Sequence, residues 1–275
     1  MADNGVLKAA VLGCGPAGLL AVHGIVRAAE AAEREVEIKI FSQKRKSPLF
    51  GCQYLHRAIP GLELPNRRVD YRLQGSIAGY REKVYGSSED VAVSPELLEE
   101  DHWAWDIRAA YDQLWERYEL AIHDYFLTPG SLRLLFAKLY EEQFDIYIST
   151  VPAPVICLDR GCTFDREEVW AQGDAPELGR WANTPVELPE GTILCSGREE
   201  DEWYRVSRVF GHHTIEWPAE AVTPVGASRV TKPLKTDCEC HPQWHRSGRY
   251  ATWKKGVLAH ESYRDGMRLT RNALR

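Results

Sequence analysis

The chain has no uninterrupted apolar run of about eighteen residues, the least a membrane-crossing helix needs, so no such span is expected. Its N-terminus has no basic stretch followed by an apolar run and a small-residue cleavage site. Met-Ala-Asp-Asn-Gly leads directly into strand-like sequence, and the cytoplasm is the expected compartment. Positive charge is in short supply: 34 Lys and Arg against 40 Asp and Glu leave a net charge of -6. That balance does not suit a surface tracking nucleic-acid phosphates, although a small nucleotide ligand stays open. The 7 cysteines are odd in number and scattered, which does not read as a disulfide framework. Internal repeats and low-complexity tracts are also missing. What remains, 44% hydrophobic and 27% charged over 275 residues, suits one large globular domain, or one domain with a smaller cap.

Val6 to Leu12 is a short apolar run and reads as a buried parallel strand. A glycine turn follows, then a helix rich in Ala and Leu from Pro16 to about Arg34, then an alternating strand from Val36 to Phe41. Residues 42–68 read as a long loop. From Leu97 to Tyr118 the residues Trp103, Ile107, Tyr111, Leu114 and Tyr118 recur at spacings near three or four, which predicts an amphipathic helix with those aromatics in the core. Ser131 stands as the N-cap of a helix to about Glu142, and Phe144 to Ser149 reads as a strand. Residues 153–244 read as strands and turns, and a last helix begins near Val257.

Gly13-Cys14-Gly15-Pro16-Ala17-Gly18 has the GxGxxG pattern, and it stands between a buried strand and a helix, the context that gives the pattern weight. Gly13 permits the turn, Gly15 lets backbone approach a pyrophosphate, and Gly18 lets helix pack on strand. The helix start then offers free N–H groups and a positive dipole end to the phosphates, with Pro16 and Ala17 in its first turn. Which dinucleotide binds is left open. The end of the second strand usually carries a ribose-binding acid, but here it carries Ser42 followed by Gln43, Lys44, Arg45 and Lys46. A basic cluster without an acid suits a 2′-phosphate, so NADP(H) competes with FAD. It also suits a solvated loop. No second GxGxxG occurs, and the remaining length is too short for another complete Rossmann domain, so one dinucleotide is expected.

Residues 13–21, Gly-Cys-Gly-Pro-Ala-Gly-Leu-Leu-Ala, resemble the FAD fingerprint of glutathione-reductase-type flavoproteins, the group that includes amine oxidases and UDP-galactopyranose mutase. Phe50-Gly51-Cys52-Gln53-Tyr54-Leu55-His56 falls where such proteins pass a loop across the flavin. Gly248-Arg249-Tyr250-Ala251-Thr252-Trp253, followed by Gly256-Val257-Leu258, resembles the mutase-like terminal segment that closes over it. Ser149-Thr150-Val151-Pro152 resembles the strand end that returns to the cofactor. The arrangement is also similar to small FAD-dependent oxidoreductases of actinobacterial phages. The resemblance covers about half of the chain. It departs from the pattern at Ser42 and in having no terminal Gly-Asp flavin motif, which leaves the cofactor more open than the fold.

The resemblance implies FAD as cofactor; the candidate cofactor-binding set is Gly13, Gly15, Pro16, Ala17, Gly18, Gly51, Gln53, Gly248, Gly256 and Val257, with Ser42, Lys44 and Arg45 as the residues that would meet the 2′-phosphate of NADP(H). It implies His56, Arg249 and Tyr250 as candidate catalytic residues, the imidazole to orient substrate or shuttle a proton. Arg205, Arg208, His212 and His213 either bind an anionic substrate or form an exposed strand face. Cys238, Cys240, His241 and His245 are residue types that ligate zinc, but their spacing matches no common module, so no metal is assigned. Cys157 and Cys162 have the spacing of a redox pair, far from the helix that usually carries one. Cys14 reads as packing.

The fold class expected is α/β: a Rossmann-like FAD/NAD(P)-binding domain from residues 1–70, 120–156 and 245–275, with an inserted α+β substrate or cap region from 71–119 and 157–244. The function expected is a FAD-dependent oxidoreductase acting on a small polar substrate. The alternatives are an NADP(H)-dependent reductase, a redox-neutral mutase-like flavoenzyme, and a non-catalytic nucleotide-binding protein.

Overall fold

The computed structural model describes residues 5–50, 53–86, 101–157, 159, 161–173, 187–221 and 226–275. The chain opens with β1 (Leu7–Leu12), α1 (Pro16–Ala31) and β2 (Val36–Ser42). It crosses to a second layer for β3 (Asn66–Gly75), α2 (Ile77–Tyr85) and β4 (Asp101–Trp105). It then returns for α3 (Ile107–Tyr118), β5 (Ile122–Asp124), α4 (Pro129–Glu142) and β6 (Ile146–Ser149). The short α5 (Ala153–Ile156) leads back to the second layer, which adds β7 (Phe164–Gly173), β8 (Thr192–Gly197), β9 (Arg205–Val209), β10 (His212–Pro218) and β11 (Ser228–Thr236). The last elements, β12 (His245–Arg246), α6 (Arg249–Thr252) and α7 (Ala259–Ala273), rejoin the first layer.

Among the described residues the strands form two sheets. The first has the order β12-β6-β1-β2-β5, and every neighbouring pair in it is parallel. This is the doubly wound order of a Rossmann-like fold, with β1 at the centre. All of β1 except Lys8 is buried, which is why it reads as a continuous apolar run. The second sheet has the order β11-β7-β10-β9-β8-β3-β4 and is antiparallel except where β3 meets β8. No helix among the described residues is long and apolar enough to cross a membrane.

Two local expectations are corrected. The helix expected from Leu97 starts only at Ile107, because the Asp106 carboxylate accepts hydrogen bonds from the Arg108 and Ala109 N–H groups and caps it there. Residues 101–105 instead pair with β3, leaving Trp103 54% exposed rather than in the core, and 97–100 lie outside the described residues. The helix expected to be capped by Ser131 is capped by Thr128. The Thr128 Oγ1 accepts from the Ser131 N–H and the Ser131 hydroxyl accepts from the Thr128 N–H, a reciprocal capping box. Helix α3, assigned from sequence to the cap, packs on α1 through Tyr111, Leu114, Trp115 and Tyr118 in the core of the first sheet.

Helix α7 is clamped to α1 by two glycines. A Cβ at Gly24 would lie 2.1 Å from the Tyr263 carbonyl oxygen, and one at Gly266 would lie 2.1 Å from that of Ala21. The two backbones therefore touch. Gly266→Val should force the helices apart and lower stability by about 1–3 kcal/mol or more, read as a lower urea midpoint. Gly130→Ala, at a helical position with no atom closer than 4.0 Å to the new carbon, should lose no stability.

Candidate functional site

In a doubly wound sheet, ligands bind outside the carboxyl ends of the strands where the winding direction reverses. Here that point lies between β1 and β6. Thr150, just past β6, donates its hydroxyl to the Leu12 carbonyl at 2.8 Å, so the two strand ends are tied together. Gly13 turns the chain with φ +94, and a Cβ there would meet Thr150 Oγ1 at 2.7 Å. At Gly18 a Cβ would lie 2.0 Å from the Gly13 carbonyl oxygen, which is close packing of the helix on the turn. Gly15 differs from both: the nearest atom to its missing Cβ is Ser47 Oγ at 3.7 Å, so space opens in front of it. Among the described residues no side chain caps α1 at Gly15, and no acid stands in its first turn, so the N–H groups and positive dipole end face that space.

The terminal segment returns to this turn. Gly248, with φ +82, packs so tightly that a Cβ would sit 2.8 Å from the Ala17 Cβ and 3.5 Å from Ser262 Oγ. The Ser247 N–H donates to the Ser149 carbonyl at 2.9 Å, and the Ser247 hydroxyl to Asp265 at 2.7 Å, which fixes the approach. Ser149 Oγ, Ser262 Oγ and His260 Nδ1 are buried with no hydrogen-bond partner among the described residues. Buried polar atoms are nearly always satisfied, so orphans at the end of β6 and the start of α7 mark places where a ligand or water completes the structure.

His56 is placed by its neighbours. Leu55 exchanges backbone hydrogen bonds of 2.9 Å with Trp105 at the end of β4. The His56 ring lies 4.5 Å from that of Tyr54 and 6.3 Å from that of His260. Tyr54 in turn shares a 2.7 Å hydrogen bond with Tyr71, whose ring meets His102 edge-on. The His56 side chain reaches solvent, yet protein surrounds it closely enough that its pKa falls to about 4. Desolvation is the largest cause, followed by positive charge at His260, His102 and Arg249. His56 is therefore neutral at neutral pH, which favours orienting a ligand over shuttling protons. Arg249, nearly two hundred residues further along the chain, is brought within electrostatic reach.

The remaining sequence candidates divide. The Tyr250 hydroxyl donates to the Thr231 carbonyl at 2.9 Å, which seats it on β11. Gln53 is exposed and bonds to the Phe50 carbonyl at 2.7 Å. Gly256 has φ +81 with nothing within 4 Å of a Cβ, and Val257 is half-buried just before α7. Gly51 and Cys52 lie outside the described residues. Lys44 pairs with Glu119 at 3.4 Å, and Lys46 with Asp112 at 2.5 Å. Ser42 stands in register with Asp124, which accepts the Lys44 N–H at 3.0 Å. Acids that sequence spacing could not reveal thus answer two members of the basic cluster. Beside it, Ser47, Phe50, Arg108, Tyr111 and Gly173 line a cleft of about 390 Å³. The Tyr111 hydroxyl, donating 2.9 Å to the Cys14 carbonyl, ties this cleft to the glycine turn.

Arg205 does not line an exposed face. It forms an ion pair with buried Glu216, while Arg208 pairs with Glu190 at 3.2 Å. Next to the Arg205 pair stands Lys232 on β11, half-buried and bonded to the Tyr204 hydroxyl, with its pKa lowered to about 8. Desolvation is the main cause, and Arg205 and Arg249 add to it against the opposing pull of Glu216 and Glu167. Sequence reading missed Lys232 because Thr231-Lys232-Pro233 belongs to no motif. The cluster Cys238, Cys240, His241 and His245 does not assemble: His241 packs on the Phe136 ring at 4.5 Å and His245 pairs with Asp265 at 3.2 Å. Cys238 and Cys240 meet Cys157 and Cys162 instead, all four sulfurs lying within 4.8 Å of one another.

No protein-family model matches the sequence, and no curated protein matches it. Solved structures do match in fold. BrvH, a flavin-dependent halogenase from Brevundimonas sp. BAL3, aligns over 99% of this chain and 71% of its own, with a TM-score of 0.51 and 12% identity. MibH, a lathipeptide tryptophan 5-halogenase, aligns over 98% of this chain and 67% of its own, with a TM-score of 0.52 and 10% identity. The chain thus has the α/β, Rossmann-like fold found in a flavin-dependent halogenase.

The low His56 pKa has a consequence for acid stability. Between about pH 6.5 and pH 4 the unfolded chain binds a proton at this residue and the folded chain does not, so stability falls as pH drops through that window. Below pH 4 both states are protonated and no further loss comes from His56. His56→Gln should therefore lose less stability than the parent between pH 7 and pH 4.5, read from urea midpoints at the two pH values. Equal losses would show that His56 does not titrate with a lowered pKa.

Proposed function

We propose that the chain is a FAD-dependent oxidoreductase acting on a small polar substrate. The observation that carries this reading is the uncapped start of α1 behind Gly15, open to the crevice where the winding of the first sheet reverses. A pyrophosphate there would take the first-turn N–H groups and the dipole end. Two further observations support the reading: the tight seat of Gly248 on Ala17, and the likeness of the fold to a flavin-dependent halogenase. The closer relation to amine oxidases and UDP-galactopyranose mutase rests on residues 13–21, 50–56, 149–152 and 248–258.

FAD is preferred to NADP(H) because Lys44 and Lys46 are already paired with carboxylates, and Asp124 supplies an acid beside Ser42, where the end of the second strand has none. When bound, a flavin supplies the redox chemistry, and the protein has only to position the substrate and tune its surroundings. Arg249 stabilises negative charge beside the glycine turn. His56, neutral, hydrogen-bonds the ligand. Lys232, with a pKa of about 8, exchanges a proton near neutrality. The first sheet with α1, α3 and α7 holds the dinucleotide, and the second sheet with α2 faces the substrate.

The protein should purify yellow, with FAD released on denaturation. Gly15→Val should fold and lose the cofactor, because its side chain fills the space the phosphates need. Lys44→Ala with Arg45→Ala should leave flavin content nearly unchanged. A colourless preparation that binds NADPH, weakened in that double variant by about 1.5–3 kcal/mol per lost charged hydrogen bond, would overturn the assignment in favour of NADP(H).

A further inference from the structure

The cysteines offer a second site, separate from the glycine turn. Cys157 follows α5 and Cys162 precedes β7, on the stretch that carries the chain from the first sheet to the second. Cys238 and Cys240 follow β11 on the stretch that carries it back to β12. Nothing in sequence joins these pairs, which are some eighty residues apart. Yet Cys240 Sγ lies 3.8 Å from Cys157 Sγ and 3.9 Å from Cys162 Sγ, and all four sulfurs fall within 4.8 Å of one another.

Those distances identify the chemistry. A disulfide needs sulfurs at about 2.05 Å, and none of these cysteines is so paired. Tetrahedral thiolates around zinc, at about 2.3 Å each, stand about 3.8 Å apart. Iron–sulfur clusters bridge several irons and hold their cysteines farther apart than that. The spacing is that of a single ion with four sulfur ligands.

The surroundings are built to hold the four thiols in place. Asp159 accepts the Gly161 N–H at 2.9 Å, just ahead of Cys162. Asp237 accepts the Thr163 N–H at 2.7 Å, and the Thr236 hydroxyl donates to the Thr163 carbonyl at 2.7 Å, which joins one cysteine pair to the other. Arg246 donates to the Cys238 and Cys240 carbonyls at 2.8 and 3.0 Å and to Cys238 Sγ at 3.1 Å. A zinc ion with four thiolates carries a net charge of about −2, and a guanidinium bonded to one of the sulfurs offsets part of it.

We propose that Cys157, Cys162, Cys238 and Cys240 form a structural zinc site that staples together two of the chain's crossings between its sheets. All four coordination positions are filled by protein, so the ion is structural and has no place for substrate. On binding, zinc displaces the thiol protons to solvent, and no electron is transferred.

The test is the metal content of full-length protein purified without chelator. Elemental analysis should give about one zinc per chain, released in step with titration of the thiols by a mercurial. Cobalt exchanged into the site should give tetrahedral ligand-field bands in the red, beyond flavin absorption. Cys238→Ser with Cys240→Ser should abolish both signals. If that variant does not fold, the cobalt spectrum of the parent decides the matter alone. Absence of zinc together with four freely titrating thiols would overturn the proposal. So would two disulfides found by mass spectrometry, or iron in place of zinc. Flavin content is read separately, so the fate of the cofactor assignment does not decide this one.

Discussion

Helix α1 lies so close to its neighbours that a single added carbon would not fit at three places. At Gly18 it rests on the Gly13 carbonyl, and at Gly24 and across from Gly266 it rests on α7. These contacts fix where the helix starts, and so where its unpaired N–H groups point. They also fix α7, and with it the loop before α7 that seats Gly248 on Ala17. Interiors packed at this density transmit position faithfully, so placement of one helix by backbone contact determines the geometry of the whole cradle. The glycines on α1 and α7 act through proximity and need no unusual backbone angle.

The second layer contributes charge. Arg205 and Glu216 form an ion pair with little access to water, Lys232 is held beside them, and Arg249 approaches from the terminal segment. Burial lowers the pKa of both His56 and His260, desolvation being the largest cause for each. A neutral imidazole beside a permanent guanidinium can accept hydrogen bonds that an imidazolium could not, and it leaves the task of meeting an anion to arginine.

The elements legible in the sequence were those whose signals are local. The apolar run of β1, the Pro-initiated α1 and the alternation of β2 all formed within a few residues of where they were expected. Strands β5 and β12 carry no such signal, because two or three residues have no period and are strands only through their neighbours in the sheet. The error at 97–118 came from aromatic residues whose spacing fits one helical face but whose first members lie on β4. Asp106 was the signal that separates them, a carboxylate placed to cap. Pro129 similarly pointed to Thr128 rather than Ser131 as cap, since proline favours the first helical position. The cysteine constellation was visible only as two unrelated halves. Spacing along a chain says nothing about partners eighty residues away, and the nearby histidines were a closer match on paper than in space.

The glycine turn is synthesised more than two hundred residues before Gly248 and α7, which complete its walls. The central strand β1 likewise waits for β6, more than a hundred residues later, to cover its other edge. Contacts of such long sequence separation form slowly and late. On a ribosome, the nascent β1-α1-β2 unit would stand with one side of α1 bare until residues near 266 have left the exit tunnel. Any ligand of that turn meets a finished cradle only after synthesis has passed that point, and the apolar side of α1 stays open to chaperones in the interval.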